Sequence, residues 1–255
     1  MVDGASCLCL TYGRPALLEE AIESFMRQEW DGPKELIVLN DHPDQQVVFE
    51  HAEVRIFNWK SRLATLGEKR NLSVRLAKYN QLLIWDDDDI HLPWRISESM
   101  LGLSESQYFK CPQLWIFENE GIYHHIAQYE QWFHCTAAYS RSLFNRLGGY
   151  RAMNTGEDVT FELGLKRNRT LRKFWKFSEL PLERLYYIYR VTHGYYHTTG
   201  CTDLAKIDPP VKSGKLKLEP HWETDYCKNV EQEISHKKAQ ESQNLYTSKL
   251  NGTLR

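Results

Sequence analysis

The stretch Leu82-Leu83-Ile84-Trp85-Asp86-Asp87-Asp88-Asp89 decides the fold, because four apolar residues run directly into four aspartates. The apolar half reads as a buried strand and the acidic half as the loop at its carboxyl end. In open α/β sheets that end of the strands is where ligands bind. Four adjacent carboxylates repel one another, and a divalent cation is the usual compensator, since hard ions such as Mg²⁺ or Mn²⁺ take oxygen ligands. A second reading stays open at this point. Acidic residues are also favoured near helix starts, and Pro93-Trp94 suggests a helix just beyond.

Toward the N-terminus the chain alternates as βαβ units do. Ser6 to Leu10 reads as a strand, followed by the loop Thr11-Tyr12-Gly13-Arg14-Pro15. From Ala16 to Arg27, Leu17, Leu18, Ala21, Ile22, Phe25 and Met26 recur at helical spacing, and Asp31-Gly32-Pro33 ends that helix. Leu36 to Leu39 forms a second strand, closed by Asn40-Asp41-His42-Pro43, with a shorter one near Val54 to Phe57. Thr65 to Tyr79 looks helical and leads into the strand before the aspartates. Parallel strands need such crossovers, so a buried, mostly parallel α/β sheet flanked by helices is expected.

Toward the C-terminus the pattern is less regular. Strand-like pieces fall at Gln113–Phe117, Thr136–Tyr139 and Leu185–Val191, and a helix at Val159–Leu165. Beyond Lys228 the chain is polar and reads as a helical or frayed tail. The expected organisation is one domain over residues 1–227, with halves at 1–105 and 106–227, and a tail at 228–255.

Composition excludes several classes. The chain has 255 residues, 42% hydrophobic and 26% charged, as in ordinary globular proteins. A net charge of −2 gives no global attraction to nucleic acid or anionic membrane. No apolar run approaches the ~20 residues that cross a bilayer, and no secretory signal opens the chain. Cys7, Cys9, Cys111, Cys135, Cys201 and Cys227 form no CxxC pair, so reduced cysteines in a cytoplasmic protein are the expectation. His124, His125, His134 and Cys135 are metal-capable but lack a recognisable ligand spacing. Aromatic residues make up 13% of the chain, most of them suited to core packing and a few to a sugar-binding cleft.

Thr11-Tyr12-Gly13-Arg14-Pro15 after the first strand, Asp41 after the second, Gly67-Glu68-Lys69-Arg70-Asn71 at a helix start, Asp86-Asp87-Asp88-Asp89 and Gly156-Glu157-Asp158 follow one another in this order. Order and spacing resemble the family 2 glycosyltransferases of the GT-A fold over roughly residues 5 to 200. That resemblance implies a single GT-A domain with a Rossmann-like sheet and a less regular, acceptor-side C-terminal half. It also implies an inverting, metal-dependent enzyme that moves one sugar from a nucleotide-sugar donor, a UDP-sugar, to an acceptor hydroxyl.

The resemblance assigns roles residue by residue. Asp88 is the expected metal ligand for Mn²⁺ or Mg²⁺. Asp86, on the same side by strand alternation, is the ribose-binding or supporting partner at the donor, with Asp89 supporting and Asp87 at the donor as the most dispensable of the four. Asp41 matches the residue that accepts from the nucleobase, and an Asx turn with His42-Pro43 is the alternative. Thr11, Tyr12 and Arg14 fall at the donor. Arg70 fits either a phosphate contact or an ordinary helix surface. Asp158, with Glu157, matches the acceptor-side motif whose aspartate is the general base, and the same triplet would also cap a helix. His197, four residues after His193, is a candidate further metal ligand, and a structural histidine is the alternative.

The chain also departs from the family. Asn40-Asp41-His42-Pro43 replaces the usual acidic-glycine-serine sequence, and no QxxRW motif follows Glu157-Asp158. Transfer of single sugars therefore fits better than processive synthesis. Two other functions compete: a nucleotidyltransferase that makes sugar nucleotides, for which the one-glycine first loop is poorly suited, and a non-catalytic nucleotide-sugar-binding module. The basic stretch Lys166 to Lys176 is either a solvated face or a contact for an acidic acceptor, such as a glycan, a lipid-linked phosphate or a nucleic acid.

Overall fold

The computed structural model describes residues 4–119, 121–128, 133–167, 175–177, 180–191 and 213–252. Strand β1 (Ala5–Thr11) is buried along its whole length, as a parallel strand covered on both faces must be. Pro15 opens α1 (Pro15–Met26), where a missing N–H does no harm, and Leu18, Ala21, Ile22 and Phe25 form its buried face. Next come β2 (Lys34–Asn40), β3 (Gln45–Val48) and β4 (Val54–Asn58). Helix α2 (Leu66–Leu76) is capped by Thr65, whose hydroxyl accepts from Glu68 N. It stops three residues short of Tyr79 because Ala77 is already extended.

β5 (Gln81–Asp86) carries the apolar run into the first aspartate, followed by β6 (Ile90–His91) and α3 (Arg95–Ser104). The second half holds β7 (Tyr108–Lys110), β8 (Gln113–Glu118), β9 (Gly121–Ile126), β10 (Ala138–Ser140) and α4 (Arg141–Leu147). It continues through α5 (Glu157–Arg167), β11 (Trp175–Phe177), β12 (Tyr187–Arg190), β13 (Gly214–Lys217) and α6 (Tyr226–Gly252). The stretch expected as a strand at Thr136–Tyr139 is split, with a 3₁₀ turn over His134–Thr136 before β10.

The main sheet has the order β11-β7-β10-β5-β1-β2-β4, and only β10 runs against its neighbours. The chain winds outward from β1 through β2 to β4, then returns to β5 on the other side of β1. This reversal opens a crevice at the carboxyl ends of β1 and β5. In register, Thr11 pairs with Asn40 and Leu10 with Asp86, so the loops holding Arg14, Asp41 and the aspartates leave from one edge. A four-stranded sheet, β6-β12-β8-β9, leans on that edge through β6, directly after the aspartates. The architecture is the mixed α/β arrangement expected, with a mostly parallel central sheet.

Beyond strand pairing, residues 1–105 and 106–227 meet in a close backbone approach. Gly67, in the first turn of α2, donates its backbone N–H to Met153 O at 3.1 Å. A Cβ at Gly67 would lie 1.8 Å from Arg151 O, so only glycine permits this approach. Helix α6 begins just before the expected tail, and its first turns are not frayed: Tyr226, Val230 and Ile234 are buried in the main core. No helix among the described residues is long and apolar enough to cross a membrane.

Candidate functional site

β5 ends at Asp86, and Asp87 and Asp88 form a turn, so the alternation expected to pair Asp86 with Asp88 does not hold. The turn is clamped from behind. The rings of Trp85 and His91 stack at 3.8 Å, and Trp85 Nε1 donates to Ala21 O. Asp87, nearly fully buried, takes two bonds from Arg14, through Nε at 3.2 Å and through NH2. Arg14 NH1 also donates to Asp88 Oδ2 at 2.8 Å. Asp87 is therefore the anchor of the guanidinium that holds Asp88, rather than the spare member of the run.

Asp89 turns inward, where Tyr187 OH donates to Oδ2 at 2.6 Å and Arg190 N to Oδ1 at 2.7 Å. Ligand atoms of Asp86, Asp89 and Cys135 converge to within 4.8 Å of one another. Burial raises the affinity of Asp86, Asp87 and Asp89 for protons, and the neighbouring Asp88 adds to it. Arg70 and Arg14 only partly offset this. The two converging carboxylates, Asp86 and Asp89, carry negative charge in excess and fit a divalent cation, whose preference for oxygen ligands suits Mn²⁺ or Mg²⁺. Asp88, the expected ligand, lies outside this group of three and meets Arg14 instead. Cys135 belongs to this group only through the fold, since forty-six residues separate it from Asp89.

Asp41 is buried at the end of β2, and its two oxygens take different partners. Oδ2 accepts from Leu63 N at 3.0 Å, and Oδ1 from Lys69 Nζ, which also reaches Thr11 O at 2.6 Å. Lys69 is itself buried, which lowers its proton affinity, with Asp41 opposing the shift. Nothing in the sequence sets Lys69 apart, since a single basic residue in a helix has no distinguishing pattern. Tyr12 lies 4.8 Å from the His42 ring, and the Arg62 guanidinium sits 4.3 Å from the Tyr12 ring centre. An aromatic face beside a buried carboxylate can stack on and hydrogen-bond a nucleobase.

Glu157 and Asp158 reach the same edge through Arg70. Glu157 and Asp158 occupy the first turn of α5, where carboxylates favour the positive end of the helix dipole. Arg70 Nε donates to Glu157 Oε1 at 3.0 Å, and its NH1 lies 3.9 Å from Asp86 Oδ1. Only 13% of the Arg70 side chain is exposed, which removes the ordinary-surface reading. Asp158 is half-buried and accepts from its own neighbour, Val159 N, at 2.7 Å. The structure thus brings Thr11, Tyr12, Arg14, Asp41, Arg70, Asp86–Asp89, Glu157 and Asp158 to neighbouring positions of one sheet edge. His193, His197 and residues 168–174 of the basic stretch lie outside the described residues.

Known proteins bear on this arrangement in two ways. A structure of Staphylococcus aureus TarS 1–349 in complex with UDP-GlcNAc shares the fold with a TM-score of 0.59 at 14% identity, covering 79% of this chain and 62% of that one. A second structure of TarS 1–349 gives 0.55 at 13% identity, covering 74% and 60% respectively. More than a third of each TarS chain thus has no counterpart in the match. No curated protein matches the chain. The family described as Glycosyl transferase family 2 matches residues 6–160, from β1 through the first turn of α5. With more than half its length matched, including the acidic run and Glu157-Asp158, the chain belongs to glycosyl transferase family 2.

Proposed function

We propose that this protein is an inverting, metal-dependent transferase that moves one sugar from a nucleotide-sugar donor, a UDP-sugar, to an acceptor hydroxyl. The observation that carries the reading is the Arg70 bridge, which ties Glu157, beside Asp158, to Asp86 at the end of β5. An in-line displacement needs a base and a leaving-group site held at a fixed separation, and this contact links the two elements that would supply them. The TarS complex with UDP-GlcNAc supports a uridine nucleotide by likeness of fold.

In this reading Tyr12 stacks on the base, and Asp41 accepts its N–H through a lone pair left beside the Lys69 and Leu63 contacts. Thr11 borders the nucleoside, and Arg14 and Arg70 are the cations nearest the diphosphate. Asp88, Asp86, Asp89 and Cys135 are the residues that would hold Mn²⁺ or Mg²⁺, with His197 proposed as a further ligand. When bound, the ion supplies positive charge against the departing nucleotide. Asp158 takes the acceptor's proton as its oxygen attacks, a contribution of roughly 10²–10⁴-fold. Glu157 holds Arg70 in place.

A panel of nucleotide sugars, each with Mn²⁺ or Mg²⁺, tests the reading by thermal stabilisation and donor hydrolysis. One sugar nucleotide should stabilise the protein and be hydrolysed only with a metal present. Consumption of a nucleoside triphosphate with release of pyrophosphate would replace the proposal with nucleotidyl transfer. Absence of any response across the panel would end it.

A further inference from the structure

Away from the aspartates, a second group of buried ionisable side chains has no part in the chemistry just described. Glu162, on α5, is fully buried and makes four hydrogen-bond contacts with three side chains. Lys110 Nζ reaches its two oxygens at 2.8 and 3.0 Å, Tyr108 OH donates at 2.7 Å, and His134 Nδ1 lies at 2.8 Å. The other nitrogen of His134, Nε2, meets Tyr150 OH at 2.7 Å, and that hydroxyl meets Tyr139 OH at 2.9 Å. The tautomer that carries its proton on Nδ1, toward the carboxylate, leaves Nε2 to accept from Tyr150 OH.

The connection does not end at Tyr150. Asn71 brackets its backbone with two bonds of 2.8 Å, and the Arg70 guanidinium lies 5.7 Å from its ring centre. Arg70 then returns to α5 at Glu157. The path Glu162–His134–Tyr150–Asn71/Arg70–Glu157 therefore leaves α5 at one point and rejoins it five residues earlier. Asp158 lies between the two points of attachment, one turn before Glu162 and on the same helix face. Apolar packing alone is non-directional and resists rotation of a helix weakly, whereas short hydrogen bonds at two places fix its angle.

We propose that Glu162, His134 and Tyr150 are positioning residues that set the rotation of α5 and so aim Asp158 at the acceptor oxygen. The inference rests on the transferase reading for what Asp158 does, but the mechanical part stands apart from it. Buried ion pairs add little stability over apolar residues of similar volume, so a function in placement accounts for their presence better than stability does.

Tyr150→Phe opens the circuit at a single oxygen and keeps the ring that stacks on Phe161 at 4.6 Å. Hydrogen exchange at the amides of Thr160, Phe161 and Glu162 should accelerate at least tenfold, with α1 unchanged and the melting temperature nearly constant. With the donor identified in the panel, kcat should fall about tenfold while the donor KM and the affinity for UDP stay within twofold. Glu162→Gln, which keeps the shape and most contacts, should retain far more activity than Glu162→Ala. Unchanged exchange in α5 overturns the proposal, whether or not a donor has been found. So does a uniform loss of protection with a parallel fall in melting temperature, or a loss of UDP affinity in step with kcat. If wild type turns over no sugar nucleotide, the transferase reading fails, and the exchange measurement still decides the circuit.

Discussion

The buried carboxylate of Glu162 and the acidic run Asp86–Asp89 are compensated in opposite ways. Around Glu162 one carboxylate has a lysine, a histidine and a phenol, all within hydrogen-bonding distance. Around Asp86–Asp89 Arg14 bonds Asp87 and Asp88, Arg70 stands 3.9 Å from Asp86, and Asp89 is held by a phenol and a backbone N–H. Burial shifts Asp86, Asp87 and Asp89 toward holding protons, because no fixed cation answers all of them. The first group is complete as it stands, and the second gains from a mobile cation. The ratio of donors to buried carboxylates separates scaffold from site here better than acidity alone.

Mutations can break the contrast, and the largest effect is expected at the incomplete group. Asp88→Ala should abolish sugar transfer and the stabilisation by Mn²⁺, measured by product formation and thermal shift. Asp158→Asn should lower kcat by roughly 10²–10⁴-fold with UDP affinity preserved in titration calorimetry. At the complete group, Lys110→Met strands Glu162 and should destabilise the fold by about 3–5 kcal/mol in urea denaturation. Adding Glu162→Leu should restore much of that stability, since the buried charge is then gone.

The pH dependence sharpens the same contrast. Asp86, Asp87 and Asp89 hold protons more tightly folded than unfolded, so their share of stability is present at low pH. It is lost as pH rises above the ordinary carboxylate range and through their raised values. A bound cation replaces those protons, so Mn²⁺ should raise the melting temperature more at pH 7.5 than at pH 5.5. The smallest effect is expected from Cys135→Ser, which leaves both carboxylates of its cluster. It should retain most activity with Mn²⁺ while weakening inhibition by thiol-seeking ions such as Cd²⁺.

Legibility followed the range of the interactions. β1, β2, β4 and β5 were readable because each is a short apolar run closed by its own loop, and Thr11, Tyr12, Arg14, Asp41 and Asp86–Asp89 sit at the ends of β1, β2 and β5. Strands β3 and β13 were not readable, because Gln45–Val48 pairs with Gly214–Lys217 from the far end of the chain. β9 is an edge strand whose half-exposed residues carry no buried face. The turn after Asp86 was misjudged for a local reason: strand alternation was carried past the strand's last residue. The role of Lys69 and the place of Cys135, metal-capable by residue type alone, were not readable because their partners, Asp41 and Asp86/Asp89, meet them only in the folded chain.

Gly67 gives the architecture a tolerance that can be stated as a length. The backbone of α2 rests against the carbonyl of Arg151 with no side chain between them, and α2 is the helix that carries Arg70. Even a methyl group would have to push these segments apart by more than an ångström to reach an ordinary contact. Such a wedge would leave the sheet and both carboxylate groups intact, yet move Arg70 away from Glu157. An alanine there would act as a shim, converting a bonding distance between two well-formed halves into a gap that neither half can close alone.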